Sequence, residues 1–165
     1  MSADILHPLP LPIFGMLLGA ALLTDIFWLR IPNWIVMSLV AAFGLTAGLS
    51  AHAGDWWISH FAAGLLVLAA GFALFAWDKI GGGDAKLMAA IGLWAGLSLL
   101  PSLLFSIAIV NGAVILAYMA ARPSGIGPYL ESRGLHVASL MPGRDMPFAV
   151  AAAAGCWIYL SDFPH

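Results

Sequence analysis

The sequence predicts an all-α fold, a polytopic membrane bundle of about six transmembrane helices, and three observations predict it. Hydrophobic residues make up 62% of the 165 and charged residues only 8%, against about a quarter charged in an ordinary soluble domain. Apolar runs, each near the ~20 residues a helix needs to cross a bilayer, alternate with short stretches that hold Pro, Gly and nearly all the charge. Basic residues occur only in every second one of those stretches. This composition excludes a water-soluble fold. A net charge of -2 without a basic cluster excludes a nucleic-acid partner. The single cysteine, Cys156, allows no internal disulfide and no CxxC-type metal site, and its apolar surroundings mark it as a packing residue. The lipid bilayer is the medium to which the chain is fitted.

The first predicted helix covers 12–29. No Lys or Arg precedes Arg30, so the basic start of a secretory signal peptide is missing and the run reads as a retained membrane helix. The second and third helices cover 34–50 and 56–76. The fourth (85–100) and fifth (102–121) are separated only by the Leu100-Pro101 break, which predicts a tight hairpin. A segment at 122–146, rich in Gly, Pro and Ser, reads as a loop with one interfacial turn, and the sixth helix covers 147–161. The whole chain, 1–165, reads as one domain. Small-xxx-small pairs occur at Gly15/Gly19, Gly44/Gly48 and Gly92/Gly96 and read as packing within the bundle rather than as dimer contacts.

Six crossings put the connections after the first, third and fifth helices on one side, and all 6 basic residues fall there: Arg30, Lys79, Lys86, Arg122, Arg133 and Arg144. The positive-inside rule makes that side cytoplasmic. The other side carries Asp4, Asp55 and Asp162 without a Lys or Arg.

Asp25 lies inside an apolar helix, in Leu22-Leu23-Thr24-Asp25-Ile26-Phe27-Trp28. A charged group at the bilayer centre costs roughly 2.5 to 3.5 kcal/mol on insertion scales, so an intramembrane acid is by default a functional candidate. Arg30 follows five residues later, about 7.5 Å along the axis, which sets Asp25 just below the basic face. The bland alternative is a snorkelling acid or an Asp25–Arg30 ion pair. Asp84 opens the fourth helix at the same depth, after Gly81-Gly82-Gly83. Its bland alternative is a helix cap after a flexible turn. Two carboxylates brought together can share one proton, the ionised one activating water while the protonated one acts as general acid, so peptide hydrolysis needs neither a nucleophilic side chain nor a metal. The chain has no HExxH, GxSxG or GxxxxGK[ST], and His7, His52, His60, His136 and His165 lack ligand spacing. No cofactor is expected.

At these residues the chain resembles the prepilin peptidase family, the GxGD aspartic proteases of bacterial inner membranes that trim type IV and Flp-type prepilins. The residues that match are Gly81-Gly82-Gly83-Asp84-Ala85-Lys86-Leu87 and Asp25 followed by Arg30-Ile31-Pro32-Asn33, with Met146-Pro147-Phe148-Ala149 as a late motif that carries Ala149 where the family usually has Gly. The resemblance implies Asp25 and Asp84 as the catalytic pair, with Gly81, Gly82, Gly83, Lys86, Pro32, Asn33 and Pro147 in support. It implies a prepilin or pseudopilin substrate whose short basic leader is cut at the junction with its hydrophobic helix. Larger family members methylate the new N-terminus through a segment with paired Cys. This chain has no Cys pair and resembles the short CpaA or TadV type, for which methyl transfer is not expected.

Two readings from other classes compete. A small proton- or cation-coupled transporter subunit would use Asp25 as its carrier, but it requires a polar path across the whole membrane, and the acids cluster at one face. A non-catalytic assembly partner of a pilus or secretion machine would leave the acid pair without a role. The one-sided charge predicts that reporter fusions at Arg30, Lys79 and Arg133 are cytoplasmic and at Asp55 external. An active periplasmic reporter at Arg133 would overturn the six-helix arrangement.

Overall fold

Hydrocarbon offers no partner to a free amide or carbonyl, so a chain this apolar must satisfy its backbone internally. The computed structural model describes residues 10–49, 52–135, 137–140 and 147–161, and every regular element among them is helical. The elements are α1 (Pro10–Trp28), α2 (Asn33–Gly48), α3 (Gly54–Ala76), α4 (Gly82–Ala121), α5 (Ile126–Ser132) and α6 (Phe148–Ser161), with short 3-10 turns at Arg122–Ser124 and Ala138–Leu140. α3 and α4 are long and apolar enough to cross a membrane, and α1 and α2 are shorter apolar helices. Large apolar side chains such as Met16, Ile58, Leu65, Phe72, Phe105 and Leu116 point outward. In water such a surface would be a liability, and in lipid it is the expected exterior. The fold is a membrane helical bundle.

α4 is not one rod. Gly96 interrupts it at φ 69, ψ 169, a conformation closed to residues with a Cβ. Leu87 before the break and Ile107 after it belong to one apolar cluster with Ala149 and Ala152, although in a straight helix they would lie ~30 Å apart. The chain therefore reverses at Gly96, and a first arm (82–95) and second arm (97–121) run antiparallel. Ending one helix and starting another strips hydrogen bonds from both ends. Two neighbouring α3 residues replace them: the His60 Nδ1–H donates to the Leu93 carbonyl (2.8 Å) and Ser59 Oγ accepts from the Leu97 N–H (3.0 Å). The sequence reading set this hairpin at Leu100-Pro101. Pro101 instead lies within the second arm, because a proline is tolerated near a helix start whereas the reversal needs a positive φ that glycine supplies.

Close approach fixes the rest. α3 runs against the first arm of α4, where a methyl group added at Gly71 would lie 3.0 Å from Ala85 Cβ, at Gly64 3.2 Å from Leu93 Cβ and at Gly92 3.0 Å from Val67 Cγ2. The second arm lies on α6, with Ile107 Cα 2.7 Å from the position a Gly155 Cβ would take and Ser106 Oγ donating to the Gly155 carbonyl (3.1 Å). α1 and α2 close the core through Phe14, Leu18, Ala21, Ile35 and Leu39, and Trp94 Nε1 donates to the Leu39 carbonyl (3.0 Å). Of the small-residue pairs Gly92/Gly96 packs within the bundle as expected, and Gly44/Gly48 does not. A Cβ at Gly19, Gly44 or Gly48 would meet nothing within 4 Å, and Gly44 and Gly48 are exposed. At the end remote from Asp25, Trp56 stacks between His52 (3.8 Å) and His60 (3.9 Å).

The segment after the second arm is more ordered than a loop with one turn: α5 and the second 3-10 turn fold back, and the hydroxyls of Tyr118 and Ser139 lie 3.2 Å apart. Asp4, His7, His136, Arg144, Asp145, Met146, Asp162 and His165 lie outside the described residues.

Gly96→Ala is expected to lower stability by about 1–3 kcal/mol, since it combines a strained backbone with a methyl group 3.0 Å from His60 Nε2. Gly48→Ala, whose methyl meets open space, should stay within about 0.5 kcal/mol of the parent. Thermal unfolding of purified protein in detergent distinguishes the two.

Candidate active site

Phe14, Leu18, Ala21 and Asp25 are the buried positions of α1. Their spacing of four, three and four residues is one helix face, so Asp25 continues the core stripe rather than facing lipid. It is 5% exposed. A buried carboxylate needs donors, and these come from the far end of the chain: the Ala149 N–H donates to Asp25 Oδ2 at 2.7 Å, and the Phe148 N–H also reaches the carboxylate. Both amides belong to the first turn of α6, where no intrahelical acceptor exists for them. Pro147, which has no N–H, is fully buried just before them. The late motif thus meets Asp25 through its backbone, a contact the sequence reading did not anticipate. The available signal was a proline immediately ahead of an apolar helix, the pattern of a helix start with free amides.

α1 ends three residues after Asp25, and the turn runs through Leu29 at φ 51 and extended Pro32, the N-cap of α2 (φ -63, ψ 138). Arg30 in this turn is exposed. The alternative pairing of Arg30 with Asp25 is absent among the described residues, since the buried carboxylate turns toward α6.

Asp84 occupies the first turn of α4, and Ala85 N–H donates to the Gly81 carbonyl (3.1 Å), which makes Gly81 the N-cap. Asp84 is half-buried and curls back over that glycine, its Oδ2 3.1 Å from where a Gly81 Cβ would be. This is the reach of an acid at the third helical position toward its cap. Gly83 lets the α1–α2 turn approach: an added Cβ would lie 3.2 Å from Ile31 Cβ. Gly82 faces the Phe75 ring (3.4 Å). One turn on, Lys86 Nζ donates to Asn33 Oδ1 (3.1 Å).

The structure therefore brings two of the sequence motifs into contact, Gly83 on Ile31 and Lys86 on Asn33. Ile31 packs in turn on the cluster that contains Ala21 and Ala149, the residues flanking Asp25. Asp25 and Asp84 share this end of the bundle, Asp25 among buried helix faces and Asp84 at the more open edge. Asp78, the other acid nearby, is exposed in the α3–α4 turn at φ 53, a backbone position Asp tolerates. Among the described residues no three His, Cys, Asp or Glu side chains gather as a metal-ligand set.

Comparison with known proteins bears on this site. The chain matches the type IV leader peptidase family over residues 12–117, which include both acids. It is 32% identical over 152 residues to the prepilin leader peptidase/N-methyltransferase of Bacillus subtilis (strain 168), covering 88% of this chain and 52% of that protein. The chain thus spans about half the length of that curated relative. No solved structure gives a significant match.

Gly83→Val is expected to cost about 1–3 kcal/mol by forcing the start of α4 off Ile31. Gly82→Ala, which meets only the edge of the Phe75 ring, should cost under ~1 kcal/mol. Equal melting temperatures for the two variants would contradict the close approach described.

Proposed function

Because the chain belongs to the type IV leader peptidase family, we propose that it is an aspartic endopeptidase in which Asp25 and Asp84 cut the basic leader from a prepilin or pseudopilin at the cytoplasmic face of the bacterial inner membrane. The observation that supports this reading is the meeting of the two motif-bearing turns, Gly83 on Ile31 and Lys86 on Asn33, which ties the start of α4 to the end of α1. The location follows from charge: all 6 basic residues fall on the side where the acids lie. A prepilin presents its basic leader there, and its scissile bond precedes an apolar helix that would enter the same leaflet.

The chemistry needs one proton shared between two acids. The ionised carboxylate takes a proton from water as the water oxygen attacks the scissile carbonyl carbon, and the protonated carboxyl gives its proton to the carbonyl oxygen. In the resulting gem-diol, the carboxyl that took the water proton passes it to the leaving nitrogen, while one hydroxyl proton returns to the other, now ionised, carboxylate, which restores the single shared proton. The C–N bond then breaks, and the leader departs as a carboxylic acid and the mature chain as an amine. Burial of Asp25 and the more open position of Asp84 give the two acids different surroundings, which is the condition for dividing the roles of acid and base between them.

Asp25→Asn and Asp84→Asn should each lower cleavage by at least about a thousandfold while the protein still accumulates in membranes, and the double variant should be no worse than either, since residues acting as a unit are not additive. Asp78→Asn and Asp145→Asn should keep most activity. Co-expression with a prepilin and a gel shift measures this. Substantial cleavage by Asp84→Asn would return that residue to a helix-capping role.

A further inference from the structure

The match to the peptidase family ends at residue 117, yet Asp25 accepts its hydrogen bonds from a helix that begins at Phe148. Asp25 Oδ2 accepts the Ala149 N–H at 2.7 Å, between a carboxyl residue 5% exposed and an alanine at 0%. Nothing in α6 competes for that N–H, because the first amides of a helix have no acceptor within it. α6 is anchored well away from the contact, where Gly155 abuts Ile107 and accepts a hydrogen bond from Ser106. Its N-terminal donors are therefore fixed before any substrate arrives, and a donor fixed in advance needs no reorganisation when charge develops.

From this geometry we propose that the first turn of α6 is the positioning element for Asp25, acting through the backbone N–H of Ala149. The inference rests on Asp25 being one of the two catalytic acids. It also accounts for the late motif. The functional group is the amide, which alanine and glycine supply equally, so the presence of Ala149 in place of glycine costs the site nothing. Pro147 ends the preceding segment without adding a competing donor, and its complete burial fixes where the helix begins. A hydrogen bond to a carboxylate that changes charge during turnover acts on the chemical step. Its loss should appear in kcat rather than in KM.

The test replaces one backbone atom. Full-length protein is synthesised into liposomes by cell-free translation, with lactic acid in place of alanine at position 149. The resulting ester keeps the side chain and removes the N–H. The substrate is a synthetic peptide with a basic leader, a glycine at the junction and an apolar helix. We expect kcat to fall at least tenfold with KM within twofold, and Ala149→Gly, which keeps the N–H, to retain kcat within threefold. The matching ester at Val150, one residue further into the helix, should leave both constants within twofold. An Ala149 ester that cleaves like the parent while Asp25→Asn is inactive overturns the positioning role and leaves the catalytic assignment standing. Equal losses from the two esters would reduce the effect to a weakened helix and overturn it too. Activity in Asp25→Asn would remove both assignments together.

Discussion

A polar group inside hydrocarbon must find its partner within the protein, and the architecture of this chain follows from that constraint at two places. One is the Asp25 carboxylate, whose donors are the free amides of α6. The other is the reversal at Gly96, where the carbonyl of Leu93 and the amide of Leu97 are taken up by His60 and Ser59. Both solutions use the same property of helices, which leave backbone groups unpaired at their ends. In the first case a helix start supplies donors to a side chain, and in the second two side chains complete the ends of two helices. Each arrangement ties together segments far apart in sequence.

The site inherits its form from these ties. α6 is held against the second arm of α4, the second arm is held antiparallel to the first by the Gly96 reversal, and the first arm begins at Asp84. The start of that arm is tied in turn to the α1–α2 turn by the Gly83–Ile31 contact and the Lys86–Asn33 bond. The proposed acids are thus placed by a closed circuit of packing. The circuit also makes them unequal: Asp25 lies on a core stripe with Ala21 and Leu18, and Asp84 curls over an exposed glycine at the edge. Water would reach the pair from the Asp84 side.

Much of this was legible in the sequence because it depends on local pattern. The apolar runs located α1, α2, α3 and α6 to within a few residues, since a helix in lipid is bounded by the first polar or helix-breaking cluster. Asp25 was visible as an acid in an apolar run, and Asp84 as the acid after three glycines. Sequence alone points to Pro101 for the reversal, because proline is the stronger helix breaker in isolation. Gly96 prevailed through its positive φ and the two α3 residues beside it, and those are tertiary facts. Gly44/Gly48 misled for a related reason: spacing puts the two glycines on one face without saying whether that face meets another helix, and here nothing lies within 4 Å of it. The Ala149 contact joins residues 124 positions apart, and no periodicity carries that information.

The central claim is that Asp25 and Asp84 act as one unit holding one proton. Infrared spectroscopy of the protein in lipid nanodiscs, with aspartate carbonyl-labelled with carbon-13, reads protonated carboxyl groups directly. The account predicts an isotope-shifted carboxylic-acid band at neutral pH that persists in Asp78→Asn and is lost or displaced in both Asp25→Asn and Asp84→Asn. A protonated-aspartate band that survives either substitution unchanged, or no such band in the parent protein, would contradict it.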